Sequence, residues 1–164
     1  MVREKKTSIL FVCMGNICRS PMVETVARVE LARAGIAAEI ASAGTESYHV
    51  GEGADPRAVE MAEEHGYPLA QHRARQVRAA DFDDYDLVLA MDRVNMQALG
   101  RHRPRANARE AALFLQHVGF DGLDEVPDPY YGGRRDFERV LDLARRGSAL
   151  LVERLSASRA RVRA

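Results

Sequence analysis

Cysteine is scarce: the 164 residues hold two, Cys13 and Cys18, and they sit five positions apart. A pair that close makes a structural disulfide framework implausible, and no other Cys or His lies near enough in sequence to complete the four ligands of a zinc centre. No metal or cofactor is expected, and the pair reads as reactive thiols in a reducing compartment. Net charge is missing too, since 24 basic residues balance 24 acidic ones. That removes the electrostatic footprint of a nucleic-acid or membrane-surface binder. No run approaches the roughly 20 apolar residues of a membrane span, and residues 1–6 carry no apolar signal-peptide core. The expectation is a cytoplasmic protein without nucleic-acid or membrane partners. Repeats and interdomain linkers are also lacking, so residues 1–164 should form one domain, large enough to bury its own core.

What is present centres on residues 13–20, Cys-Met-Gly-Asn-Ile-Cys-Arg-Ser. The apolar run Ile9, Leu10, Phe11, Val12 predicts a buried strand ending at Cys13. Ser20 suits a helix N-cap, Pro21 the first helical position, and Met22, Val26 and Val29 recur at helical spacing. A strand, a glycine-containing loop and a helix N-terminus together make an anion site, because unpaired N–H groups and the helix dipole converge there. A thiol in that setting is expected to ionise near neutral pH. Arg19 can grip two phosphate oxygens at once. Alone, Cys13 would read as a small core residue and Arg19 as a solvated charge. In conjunction they describe a nucleophile beneath a phosphoryl group cradled by Met14, Gly15, Asn16, Ile17 and Cys18.

Further along, Gly35 stops the first helix and residues 38–42 read as a second strand. Residues 43–53 are a glycine-rich loop. Asp55-Pro56 caps a helix to Glu64, with Gly66 as terminator. A short helix is expected around residues 77–82, a third strand over 86–90, a helix after Asp92 and a fourth strand over 111–115. Residues 121–133 form a long ordered loop. The last helix buries Phe137, Val140, Leu141, Ala144, Leu151 and Leu155, leaving a core of about residues 7–155 and a basic tail, 156–164, expected to fray. Alternating strands and helices predict a parallel sheet covered on both faces, with ligands at the carboxyl ends of its strands. Cleaving a phosphate ester also needs a proton for the departing oxygen. Asp128, between Pro127 and Pro129 and beside Tyr130 and Tyr131, is the candidate, although Asp-Pro and Gly could equally just shape a turn.

Val-Cys-Met-Gly-Asn-Ile-Cys-Arg-Ser-Pro near one end and Asp-Pro-Tyr-Tyr-Gly near the other resemble the low-molecular-weight protein tyrosine phosphatase family. Ser42-Ala-Gly-Thr, Asp55-Pro-Arg-Ala, His72 with Arg75, and Met91-Asp92 with Asn95 extend the likeness over residues 7–155. The resemblance implies an α/β fold with a four-stranded parallel sheet of flavodoxin-like order 2-1-3-4. It implies a metal-independent hydrolase acting on phosphotyrosine proteins or small aryl phosphates. Cys13 matches the nucleophile, Arg19 the phosphate-binding residue and Asp128 the general acid and base. Ser20 matches a hydroxyl that bonds the thiolate, although it also suits a plain cap. Asn16, Ser42 and His72 match a network that holds the loop. Tyr48 and Tyr130 match rings flanking the substrate, with Tyr131 beside them as a further rim residue and phosphorylation target. Cys18 matches the partner of a reversible disulfide with Cys13, and Asp92 reads simply as a helix cap. Tyr48-His49 departs from the family at a rim position where side chains vary. A monomer is expected, with a weak dimer as the alternative. Two rival readings are a phosphotyrosine trap without turnover and an arsenate reductase. The trap would be expected to lack Cys13, Arg19 or Asp128, and the reductase would need cysteines beyond Cys18.

Overall fold

A computed structural model describes residues 6–106 and 108–163. Strand β1 (Thr7–Cys13) pairs in parallel with β2 (Ala38–Gly44) on one side and β3 (Leu87–Ala90) on the other. A fourth strand, β4 (Ala112–Leu113), joins β3, giving the order β2-β1-β3-β4 that the sequence led us to expect. Alternation along β1 sends Ile9 and Phe11 to one face and Leu10 and Val12 to the other, as the period of two in a strand requires. Ile9 and Phe11 meet helices α1 (Arg19–Arg33), α2 (Pro56–Glu64) and the long final helix α6 (Arg134–Arg163). Leu10 and Val12 meet α3 (Asp81–Asp84) and α4 (Arg93–Leu99) through Phe82 and Leu99. A short helix α5 (Phe114–His117) follows β4 directly. No helix among the described residues is long and apolar enough to cross a membrane.

Four local expectations are corrected. Helix α1 begins at Arg19 with Cys18 at the cap position, so Ser20 lies inside the first turn and its hydroxyl caps nothing. Pro21 is tolerated there because first-turn N–H groups lack intrahelical acceptors in any case. The helix expected over 77–82 starts only at Asp81. Residues 75–77 are instead drawn alongside Gly44, whose N–H donates to the Arg75 carbonyl (2.8 Å) and whose carbonyl accepts from Val77 (2.8 Å). The strand expected over 111–115 is only two residues long, because the chain turns helical at Phe114. A short apolar run does not distinguish strand from helix by itself. Packing decides for helix: Phe114 sits edge-on to Phe11 with ring centres 5.3 Å apart. Finally, α6 does not fray after Leu155 but continues to Arg163. Its last turns contain neither Gly nor Pro, and Arg159 donates to the Ala37 carbonyl at 2.9 Å.

Candidate active site

Strand β1 delivers Cys13 to the carboxyl edge of the sheet, 3% exposed, and α1 starts six residues later. Between them the loop turns through Asn16, whose φ of 58° is the left-handed conformation that Asn tolerates better than most residues. Such a bend survives only if its surroundings hold it, and here they do. The Asn16 amide nitrogen donates to Ser20 Oγ (2.8 Å) and Ser42 Oγ (2.9 Å). Its side-chain oxygen accepts from the Arg75 N–H (3.0 Å), and its carbonyl lies 2.7 Å from His72 Nε2. Ser42 hands its own proton to Glu24. Gly44 presses on the loop from β2; a Cβ there would sit 2.6 Å from the Met14 carbonyl oxygen, so only glycine fits.

This packing sets the chemistry of the loop. Among the described residues, the backbone N–H groups of residues 15–19 donate to no protein acceptor, and Gly15, Ile17, Cys18 and Arg19 line one cleft. Free N–H groups at the start of a 15-residue helix form an anion cradle. Ser20 Oγ lies 3.0 Å from Cys13 Sγ. That hydroxyl accepts from the Asn16 amide and has its proton free for either the sulfur or the Ala43 carbonyl, 3.5 Å away. Cys18 is different. Burial drives its thiol far above the ordinary range, and Asp55, Cys13 and Asp128 add to that while Arg57 opposes it. A thiol held protonated is a poor nucleophile, which counts against Cys18 in that role.

Arg19 is almost fully buried, and its Nη1 donates to Asp92 (2.6 Å) and to the Val126 carbonyl (3.1 Å). Its Nη2 lies 3.8 Å from Asp128 Oδ2. Burial works against the guanidinium charge, but Cys13, Asp92 and Asp128 outweigh it and hold the pKa above its usual value. Asp128 has a side chain 44% exposed and accepts from the Tyr130 N–H at 3.1 Å. Cys13, Arg19 and Asp128 face one cleft of about 280 Å³, rimmed by Tyr48, His49, Tyr130 and Tyr131. Tyr48 is 71% and Tyr131 93% exposed. Among the described residues, no three His, Cys, Asp or Glu side chains are grouped to hold a metal ion.

The model of the low molecular weight phosphotyrosine protein phosphatase family matches residues 8–161. The chain belongs to this family. A low molecular weight protein-tyrosine-phosphatase of Streptomyces coelicolor is 46% identical over 151 residues, 88% of this chain and 90% of that protein. The crystal structure of a protein tyrosine phosphatase from Entamoeba histolytica superposes with a TM-score of 0.86 at 33% identity, covering 94% of this chain and 99% of that one. Vibrio vulnificus Wzb in complex with benzylphosphonate gives 0.79 at 31% identity, over 92% of this chain and 99% of that one.

Within this phosphatase, the structure brings together every residue singled out in the sequence. Met14, Gly15, Ile17, Cys18 and the rim tyrosines line the cleft. Asn16, Ser20, Ser42 and His72 form a continuous network behind it. Sequence reasoning missed three partners. Asp92 does cap α4, accepting from the Asn95 N–H at 2.7 Å, but its other oxygen holds Arg19. Glu24 orders Ser42, and Arg75 ties the loop to the buried Asp81 (2.9 Å). Glu24 carries no signal, because a Glu on a helix is ordinarily solvated. For Asp92 and Arg75 the hint was the family resemblance, which includes both residues.

Proposed function

We propose that this phosphatase cleaves phosphotyrosine and other aryl phosphate monoesters in two steps, through a phosphocysteine on Cys13. The observation that carries the reading is the convergence of Cys13, Arg19 and Asp128 on one cleft whose floor is a ring of free N–H groups. The substrate phosphoryl group sits in that ring, with Arg19 and the loop amides balancing charge on its equatorial oxygens. Cys13 Sγ attacks phosphorus as the P–O bond to the phenol breaks, and Asp128 gives its proton to the departing oxygen. Asp128, now a carboxylate, takes a proton from water as that water attacks phosphorus. The P–S bond breaks, Cys13 leaves as a thiolate bonded by Ser20, and inorganic phosphate departs.

The rim supports an aromatic substrate. Tyr130 and Tyr131 meet edge to face with centroids 4.9 Å apart, and Tyr48 borders the same cleft, aromatic surface suited to a flat ring. The partner is a phosphotyrosine-bearing protein met by a monomer in the cytoplasm, where a reducing environment keeps both thiols free. Under oxidation, Cys13 and Cys18 close a reversible disulfide. Rapid acid quenching during turnover of a phosphotyrosine peptide, in the presence of chelator, tests the mechanism. One phosphoryl group should appear on the tryptic peptide containing Cys13. Turnover with no phosphoenzyme, or with label elsewhere, would overturn it.

A further inference from the structure

The segment that carries Asp128 has no regular structure, so something else must hold the acid at a fixed distance from the phosphate. Upstream it is pinned at Val126, whose N–H donates to the Met91 carbonyl (2.8 Å) and whose carbonyl accepts from Arg19 (3.1 Å). Inside the segment, Gly132 N–H closes a turn onto the Pro129 carbonyl at 2.9 Å. Among the described residues, hydrogen bonds reaching residues 127–132 from the rest of the fold come from one side chain, Arg57. Its Nη2 donates to the Tyr130 carbonyl (3.0 Å) and its Nη1 to the Gly132 carbonyl (3.3 Å).

Arg57 is itself fixed. Its Nε and Nη2 donate to the two carboxylate oxygens of Asp55 at 3.1 and 2.9 Å. The guanidinium lies over the Phe137 ring at 4.7 Å and faces the Tyr130 ring at 5.7 Å. Asp55 in turn is anchored to the phosphate loop, since its N–H donates to the Ile17 carbonyl at 2.9 Å, and it caps α2 by accepting from the Arg57 N–H. One covalent unit, Asp55-Pro56-Arg57, therefore bridges the floor of the cleft and the segment bearing the acid. The planar five-donor fork of Arg lets one side chain hold Asp55 and two carbonyls together, which the single point charge of Lys cannot do.

We infer that Arg57 is a positioning residue that sets where Asp128 and Tyr130 stand relative to the phosphate loop. The inference rests on the reading of Asp128 as the acid. The test is kcat/KM, which reports transfer to Cys13 and not the later attack of water, across aryl phosphates of increasing leaving-group pKa for wild type, Asp128→Ala, Arg57→Met, Arg57→Lys and the Arg57→Met/Asp128→Ala double variant. Wild type should depend weakly on the leaving group and Asp128→Ala steeply, because a poor leaving group needs the proton most. Arg57→Met should keep kcat/KM within about threefold for the best leaving group and lose roughly 10- to 100-fold for phenyl phosphate, Arg57→Lys falling between. In the Asp128→Ala background, losing Arg57 should cost little more, as expected for residues acting as one unit.

A uniform loss across the series for both Arg57 variants, no loss, or full additivity in the double variant overturns the inference while leaving Asp128 as the acid. A shallow dependence for Asp128→Ala overturns the acid assignment, and the role of Arg57 with it.

Discussion

Two segments meet at the cleft, and they are held in opposite ways. The phosphate loop, residues 13–18, is backed by a buried network in which Asn16 alone makes four hydrogen bonds, to Ser20, Ser42, Arg75 and His72. The acid-bearing segment, residues 127–132, is largely exposed and is tied across the fold by Arg57. The contrast fits the chemistry proposed for each. A cradle for a charge-dispersed phosphoryl group gains from donors that need no rearrangement during reaction. An acid that must also admit a ring, release a phenol and accept water has to stand beside solvent. Rigidity belongs to the floor and access to the wall.

The sharpest way to break this picture is to remove the nucleophile. Cys13→Ser should abolish detectable hydrolysis of any aryl phosphate while leaving the far-UV circular dichroism unchanged, and surviving activity would sink the thiolate mechanism. Next is the floor's charge. Arg19→Met should lower kcat by at least roughly 10²- to 10³-fold, the scale of losing one transition-state donor. It should also lower Tm, because Asp92 and the Val126 carbonyl lose their partner. On the wall, Asp128→Ala should lower kcat/KM by about 10²-fold or more for phenyl phosphate and much less for a leaving group of low pKa. Its Tm should change little, since the half-exposed side chain makes one local hydrogen bond and a 3.8 Å contact with Arg19, which Asp92 still holds. A Tm loss here to match that of Arg19→Met would contradict the contrast between the segments.

Smaller effects probe the network behind the floor. Asn16→Ala forces a left-handed φ on alanine and strips the three side-chain partners, Ser20, Ser42 and the Arg75 N–H, at a cost of roughly 2–4 kcal/mol measured by urea unfolding. Asp81→Asn reaches the loop at one remove. Burial opposes the Asp81 charge, but Arg75 and the Arg78 N–H outweigh it and hold the carboxyl below its usual range. A depressed folded pKa stabilises the fold above the ordinary Asp value of about 4 and loses that contribution as pH falls through the lower, folded value. The variant should therefore be less stable than wild type at pH 7, by on the order of 1–3 kcal/mol because the arginines keep contact with water. That gap should narrow as the Tm comparison is carried below about pH 4.

Most of the fold was legible because its signals are local. The buried run Ile9, Leu10, Phe11, Val12, the Asp55-Pro56 cap and the glycines at 35 and 66, with φ of 73° and 87°, each act within a few residues. Cys-x5-Arg was legible for the same reason, as a nucleophile, a turn and a charge on one short stretch. The misreadings came where a distant neighbour decides. Ser20 has the residue type of a cap, but Asn16 and Cys13 turn its hydroxyl inward. Phe114 and Leu115 suit a strand, but packing against Phe11 makes them a helix.

Sequence alone thus determined the alternation of strands and helices and the short stretch that sets Cys13, Gly15 and Arg19 between a strand and a helix, because those follow from covalent proximity and side-chain chemistry. Tertiary structure alone decided that burial holds the Cys18 thiol protonated, which carboxylate holds Arg19, and what ties the Asp128 segment to the loop. Each of those depends on burial, or on contacts between residues tens of positions apart (73 for Arg19 and Asp92, 73 for Arg57 and Tyr130). A periodicity of two or 3.6 residues carries no information about a partner that far along the chain.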